Sequence, residues 1–308
     1  MNKLAFFFPG QGSQSIGMMS GFGDATIIRD TFVEASDILG VDFWKMATEA
    51  NEVINETNNT QPIMLIAGVA TWRAWQLIAT DLPVVLAGHS LGEYTALVAS
   101  GALSFADSLP LVRYRAEVMQ SAVPAEVGAM AAILGLDDDA VRAVCGEAAL
   151  NDVLEAVNFN SPGQIVIAGN KAAVERGMEL AKLKGAKRAV PLPVSVPSHC
   201  ALMKPAAVKL AEYLKNVTIT VSQIPVIHNA DVVSYDNPDK IKNALVRQLY
   251  SPVRWVETVQ AVYAQGATQA AECGPGKVLA GLTKRIVTDL PCIAMTSNEA
   301  LLELKITQ

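Results

Sequence analysis

A serine becomes a nucleophile when the backbone presents its hydroxyl and a general base stands within reach. Ser90 has the first condition written around it, as the middle residue of Gly88-His89-Ser90-Leu91-Gly92. The apolar run 83–87 before this GxSxG reads as a buried strand, and 91–100 after it reads as a helix. Between a strand and a helix the two glycines relieve crowding at a strained turn, and the hydroxyl stands above the sheet beside a helix N-terminus. A turn with no chemistry is the competing reading; the flanking elements favour the nucleophile.

The base must come from three histidines, His89, His199 and His228. His89 adjoins Ser90, where its side chain points away from the serine's, and reads as a packing residue. His228 lies in the run 225–230 and reads as a core or edge histidine of a strand. His199 follows Pro197-Ser198 on a loop that opens a helix, and the order serine before histidine is that of hydrolase-like sites. His199 is therefore the expected base, with a helix cap as its alternative. The oxyanion formed on attack needs two N–H donors. Leu91 supplies one. The loop Pro9-Gly10-Gln11-Gly12-Ser13-Gln14 is the natural source of the second, because its glycines let the backbone approach a ligand closely. It is not a dinucleotide fingerprint: GxGxxG would need glycine at 15, where Ser15 stands.

These groups need a framework. Short β-rich runs alternate with helical stretches along most of the chain, which implies an α/β architecture with a largely parallel sheet. Leu4–Phe8 reads as a buried strand, 60–79 as a helix, 104–121 as another, and 225–230 and 268–273 as further strands. Between 125 and 195 the rhythm changes to strand 128–135, helix 137–149, strands 153–159 and 164–169, helix 171–184 and strand 186–192. That order, βαββαβ, is the ferredoxin-like split βαβ unit. The expected fold is thus an α/β-hydrolase-like catalytic body, 1–124 and 196–308, with a ferredoxin-like subdomain inserted at 125–195. Ser90 falls in the body and His199 at the return from the insert.

Composition agrees. A chain of 308 residues with 51% hydrophobic and 18% charged residues has the makings of a large core and is not a disordered polymer. A net charge of −6 argues against nucleic acid as a partner. No apolar run reaches the length of a membrane span, and the five apolar residues Leu4–Phe8 end at Pro9 without a signal-peptide cleavage site. Cys145, Cys200, Cys273 and Cys292 form no CxxC. With so few histidines no metal site is expected, and the cysteines read as reduced thiols of a cytoplasmic protein.

Six stretches together resemble a known family. They are Phe-Pro-Gly-Gln-Gly-Ser-Gln at 8–14, Gly-His-Ser-Leu-Gly-Glu-Tyr at 88–94 and Asn-Phe-Asn-Ser-Pro-Gly-Gln at 158–164. The others are Pro-Val-Ser-Val-Pro-Ser-His-Cys at 193–200, Arg-Gln-Leu-Tyr-Ser-Pro-Val at 247–253 and Gly-Pro-Gly-Lys-Val-Leu at 274–279. In order and without large gaps, they are similar to the malonyl-CoA:acyl carrier protein transacylases of dissociated fatty acid synthesis.

The resemblance implies that Ser90 is acylated, that His199 is its base, and that the Gln11 and Leu91 amides form the oxyanion hole. It implies that Arg115 pairs with the free carboxylate of malonate. Gln248 would orient the histidine through its main-chain carbonyl and help set the pocket, a Ser-His dyad without a triad carboxylate. The implied partners are malonyl-CoA and acyl carrier protein, with no cofactor or metal, no nucleic acid and no membrane, and the chain is expected to be a monomer. Arg115 has a physical case too, since a guanidinium can bind a carboxylate by two parallel hydrogen bonds; by itself a helical arginine reads as solvated. Acyl carrier proteins are acidic, so docking would need a basic patch. Lys182, Lys184, Lys187 and Arg188 are one candidate; Lys204, Lys277, Lys284 and Arg285 are others. Two further readings stay open: a serine hydrolase using the same machinery, and a non-catalytic module. The tail after 289 carries no mark, and His228 stands where members of the family often carry Asn.

Overall fold

The computed structural model describes residues 3–124, 126–194 and 196–306. Two sheets organise it. Strands β1 (Leu4–Phe8), β2 (Val85–Gly88), β7 (Val226–Ile227), β8 (Gln269–Glu272) and β9 (Cys292–Ala294) form a parallel sheet in the order β7-β2-β1-β8-β9. Strands β3 (Gly128–Leu134), β4 (Leu154–Ser161), β5 (Gln164–Asn170) and β6 (Arg188–Pro191) form a separate antiparallel sheet in the order β4-β5-β3-β6.

The continuous apolar run Leu-Ala-Phe-Phe-Phe makes β1 the central strand, buried on both faces as a parallel sheet covered by helices requires. Its side chains alternate between two cores. Phe6 packs against Trp72 and Trp75 of the helix Thr57–Gln76, with ring centroids 5.2 and 4.6 Å apart. Phe7 meets Trp255 on the opposite face at 5.2 Å. Because β2 and β8 flank β1 on opposite sides, the chain changes direction across the sheet at β1. The crevice beyond the carboxyl ends of β1 and β2 is where such a sheet accepts ligands. The loop 9–14 and the GxSxG turn both open into it.

In the antiparallel sheet, Ala131, Ile133, Ile165 and Ile167 pack beneath the helices Asp138–Ala149 and Lys171–Leu183. Met130, Val157, Val166 and Ala168 on the other face pack with Cys200. The residue beside His199 is therefore anchored on the second sheet.

The expected elements recur with moved ends. The strand at 225–230 shrinks to Val226–Ile227, because the following His228 and Asn229 turn their polar groups to Glu93 rather than to a ladder. The strand at 186–192 is Arg188–Pro191. The unmarked tail supplies the edge strand β9 and the helix Asn298–Ile306. Among the described residues, no helix is long and apolar enough to cross a membrane.

Candidate active site

The turn after β2 is built for a strained residue. Ser90 adopts φ 52°, a left-handed conformation costing a non-glycine residue roughly 1–2 kcal/mol. The glycines around it are there for space: a Cβ on Gly88 would lie 1.9 Å from the Gly92 carbonyl carbon, and one on Gly92 1.9 Å from Phe8 O. Asn229 ties the turn down, accepting from Ser90 N at 2.7 Å and donating to Gly88 O at 2.6 Å. The Ser90 hydroxyl is thereby held just ahead of the helix Gly92–Ala99, at its positive end.

His199 is the histidine that reaches it, with Nε2 2.9 Å from Ser90 Oγ. What holds His199 is the C-terminus of the helix Pro238–Gln248, whose last carbonyls have no partner within the helix. Gln248 O accepts from His199 Nδ1 at 2.7 Å, and Leu249 O accepts from His199 N at 2.9 Å. A carbonyl can only accept, so Nδ1 carries the proton and Nε2 presents its lone pair to the serine. Burial, and after it the charge of Arg115, pushes the His199 pKa down to about 3, which keeps the ring neutral and able to take a proton. His199 is itself at φ 67°.

Arg115, on the helix Phe105–Ser121, is 1% exposed rather than solvated. Its Nη1 donates to Gln61 Oε1 at 2.7 Å, and its Nη2 donates to Gln248 Oε1 at 2.9 Å and to Ser90 Oγ at 3.2 Å. Among the described residues no carboxylate lies within ion-pair distance of it. Desolvation by burial lowers its pKa, outweighing the raising influence of Tyr94 and Glu93 nearby.

A cavity of about 130 Å³ lies over these groups, lined by Ser90, His199, Arg115, Gln61 and Leu91 among others. Gln11 also lines it. A Cβ on Gly10 would come 2.5 Å from His89 O, which is how closely the first loop packs on the serine turn. Neither the Gln11 nor the Leu91 amide is taken by another protein atom among the described residues. A second cavity of about 550 Å³ shares Gln11, His89, Asn158 and Val194 with the first and extends to Ser13, Val278 and Leu282.

The other two histidines are occupied elsewhere. His89 Nε2 bonds Asn160 Oδ1 at 2.8 Å, and buried His228 Nδ1 bonds Glu93 Oε1 at 2.6 Å. Of the basic candidates, Lys184 is paired with Glu147, while Lys187 and Arg285 face one groove beside Gly135 and Gln164. Sequence reasoning missed Gln61, Glu93 and Asn229. The signal was a polar residue embedded in an apolar helix or strand, Glu93 between Gly92 and Tyr94 above all.

An α/β body with a serine turn, a carbonyl-held histidine and two open amides has the parts that serine-dependent acyl transfer would use, and the chain belongs to the acyl transferase family, whose domain model matches residues 5–294. The malonyl CoA-acyl carrier protein transacylase of Escherichia coli strain K12 is 52% identical over 303 residues, 98% of each chain. The crystal structure of the acyl-carrier-protein S-malonyltransferase from Burkholderia pseudomallei 1710b is 56% identical, covers 99% of each chain and superposes with a TM-score of 0.97. A malonyl-transacylase solved in complex with a type II polyketide acyl-carrier protein is 49% identical over 99% of this chain and 100% of its own, with a TM-score of 0.98.

Proposed function

We propose that the protein transfers a malonyl group from malonyl-CoA to the phosphopantetheine thiol of acyl carrier protein, through a malonyl ester on Ser90, to supply fatty acid synthesis. The observation that carries this reading is Arg115, a buried guanidinium with no carboxylate partner among the described residues, 3.2 Å from the Ser90 hydroxyl. A fixed cation beside a nucleophile selects an acyl group bearing its own carboxylate. The small cavity suits a short acyl group, and the adjoining one gives the thioester arm its route to Ser90.

In the cycle, His199 Nε2 takes the Ser90 proton as Oγ attacks the thioester carbonyl. The Gln11 and Leu91 amides receive the oxyanion, and the C–S bond breaks with the proton passing from His199 to the CoA sulfur. The carrier's thiol then gives its proton to His199 and attacks the serine ester. Ser90 leaves as the alcohol, recovering that proton, and the carrier departs as its malonyl thioester. His199 is positively charged only between these transfers, when the carbonyl end of the helix Pro238–Gln248 offsets that charge where a triad would use a carboxylate. The substrate-derived carboxylate on Arg115 relieves the charge that weakens His199 as a base.

The two sheets support a division into an α/β-hydrolase-like body, 1–124 and 196–308, and a ferredoxin-like unit, 125–195; the βαββαβ order and the strand arrangement β4-β5-β3-β6 favour the latter. We take the protein to act in the cytoplasm as a monomer, with Lys187 and Arg285 as the side toward an acidic carrier.

Mixing the protein with labelled malonyl-CoA should give a stoichiometric adduct on Ser90, absent in Ser90→Ala, which added acyl carrier protein discharges as labelled carrier. Release as free malonate with unlabelled carrier would make it a hydrolase, and no adduct at all would make it a non-catalytic module.

A further inference from the structure

Glu93 follows the GxSxG turn directly and is fully buried. Three donors from outside its own helix converge on its two oxygens. His228 Nδ1 reaches Oε1 at 2.6 Å, and Asn229 N and Gln248 Nε2 reach Oε2 at 2.9 and 2.8 Å. Two of these donors belong to residues that touch the site. Asn229 holds the serine turn, and Gln248 spans from Glu93 to Arg115.

The Gln248 amide has chemically opposite ends. Its Nε2 donates to Glu93 Oε2 and, at 3.0 Å, to Ser90 O, while its Oε1 accepts from Arg115 Nη2 at 2.9 Å. Flipped, the amide would turn an NH2 against the guanidinium, donor against donor, and its oxygen against two acceptors. The acceptor at position 93 gives the nearer of the two bonds that hold the NH2 end, and with Ser90 O and Arg115 it makes the observed orientation the cheaper one. From this chain of contacts we infer that Glu93 is a positioning residue for substrate selection: through Gln248 it fixes the direction in which Arg115 meets the acyl group's carboxylate. This rests on the functional reading above, since it assigns a purpose to the arginine's placement.

The readout is the ratio of malonyl to acetyl acylation of Ser90, which a defect in folding alone would leave unchanged because both substrates need the same folded enzyme. Glu93→Leu removes the acceptor and should lower that ratio by at least about tenfold, the scale of one hydrogen bond to a charged group. Glu93→Gln should restore the ratio to within about threefold. Its amide oxygen can accept from Gln248 and Asn229, and its NH2 can turn to His228, whose ring accepts at Nδ1 when its proton moves to Nε2. An unchanged ratio in Glu93→Leu overturns the inference, and so does a loss in Glu93→Gln as large as in Glu93→Leu. If Glu93→Leu does not fold, Gln248→Leu cuts the link while leaving Glu93 with His228 and Asn229. It should lower the ratio by the same order, and an unchanged ratio again overturns the inference. Arg115→Ala separates this from the function itself. A wild-type protein that takes no malonyl group refutes the functional reading; a ratio that falls in Arg115→Ala but not in Glu93→Leu refutes only the role of Glu93.

Discussion

Replacing Arg115 with alanine removes the one buried cation, among the described residues, that lines the cavity over Ser90 and would meet a substrate carboxylate there. In the malonyl-bound enzyme that cation and the substrate carboxylate would form a buried pair, and removing one partner of such a pair costs about 3–5 kcal/mol. At about 1.4 kcal/mol per tenfold, malonyl kcat/KM should fall by about a hundredfold to several thousandfold. An acetyl group has nothing to give Arg115. Its transfer loses only the 3.2 Å contact between Arg115 and Ser90 Oγ, about 1.5 kcal/mol at the weak end of hydrogen bonds to a charged group, and the acetyl group no longer has to lie against an unpaired charge. Acetyl transfer should therefore be held or improved. Arg115→Lys should fall between the two, because a point charge cannot satisfy Gln61, Gln248 and a carboxylate together. The assay is rapid-quench formation of labelled acyl-enzyme from malonyl-CoA and from acetyl-CoA without carrier, alongside thermal melts to show that each variant is folded. Equal losses for the two substrates in a folded variant would refute the carboxylate role.

Three shorter predictions concern the same site. Burial lowers His199 to about 3 from 6.5, so as pH falls below 6.5 the unfolded chain gains a proton that the folded one refuses. Its contribution to stability is complete above 6.5 and is lost toward pH 3 at up to about 1.4 kcal/mol per unit. A His199→Asn variant should show a flatter stability profile across that window in denaturant titrations, and an identical slope would contradict the assignment. For the same reason malonyl kcat/KM, which reports the free enzyme, should stay flat from neutral pH to about pH 5; a midpoint near 6.5 would mean that the ring is solvated. Gly92→Ala would force a methyl to within 1.9 Å of Phe8 O. Because the obstacle is central-strand backbone, a loss of about 3 kcal/mol or more is expected in chemical denaturation, on the scale of severe overpacking. A change below about 1 kcal/mol would mean that the turn is not so tightly seated.

The pairing of Ser90 with His199 was legible in the sequence because each comes with its own backbone device, a glycine-flanked turn for Ser90 and a proline-bounded loop for His199. The alternation of β1 between two cores was legible only as one continuous apolar run, since burial on both faces erases the period of two. Glu93, Asn229 and Gln61 were not legible as site residues, because what gives each its role is a partner more than fifty positions away in the chain. The burial of Arg115 is of the same kind. Its neighbours in the helix, Arg113 and Glu117, face solvent and pair with each other, so local sequence reads as a surface helix. Only packing against the helix Thr57–Gln76 and the end of the helix Pro238–Gln248 removes Arg115 from water.

The seam between the two sheets has a mechanical meaning. Val253 N donates to Val157 O at 2.8 Å and Phe159 N donates to Val253 O at 3.0 Å, a stitch of parallel ladder between β4 and the chain that follows Gln248. Five residues upstream of that stitch is the carbonyl that fixes the proton on His199. The antiparallel sheet is thus sewn to the segment that aims the base, and it also grips Cys200 on the base's other side. Prising the sheets apart to admit a bulky donor would pull on both ends of the residue that must stay 2.9 Å from Ser90. A molecule built this way resembles a vice with fixed jaws: in the cycle proposed above, its two substrates would each thread a slender arm into a standing gap, and the protein's own part in that traffic would be to hold still.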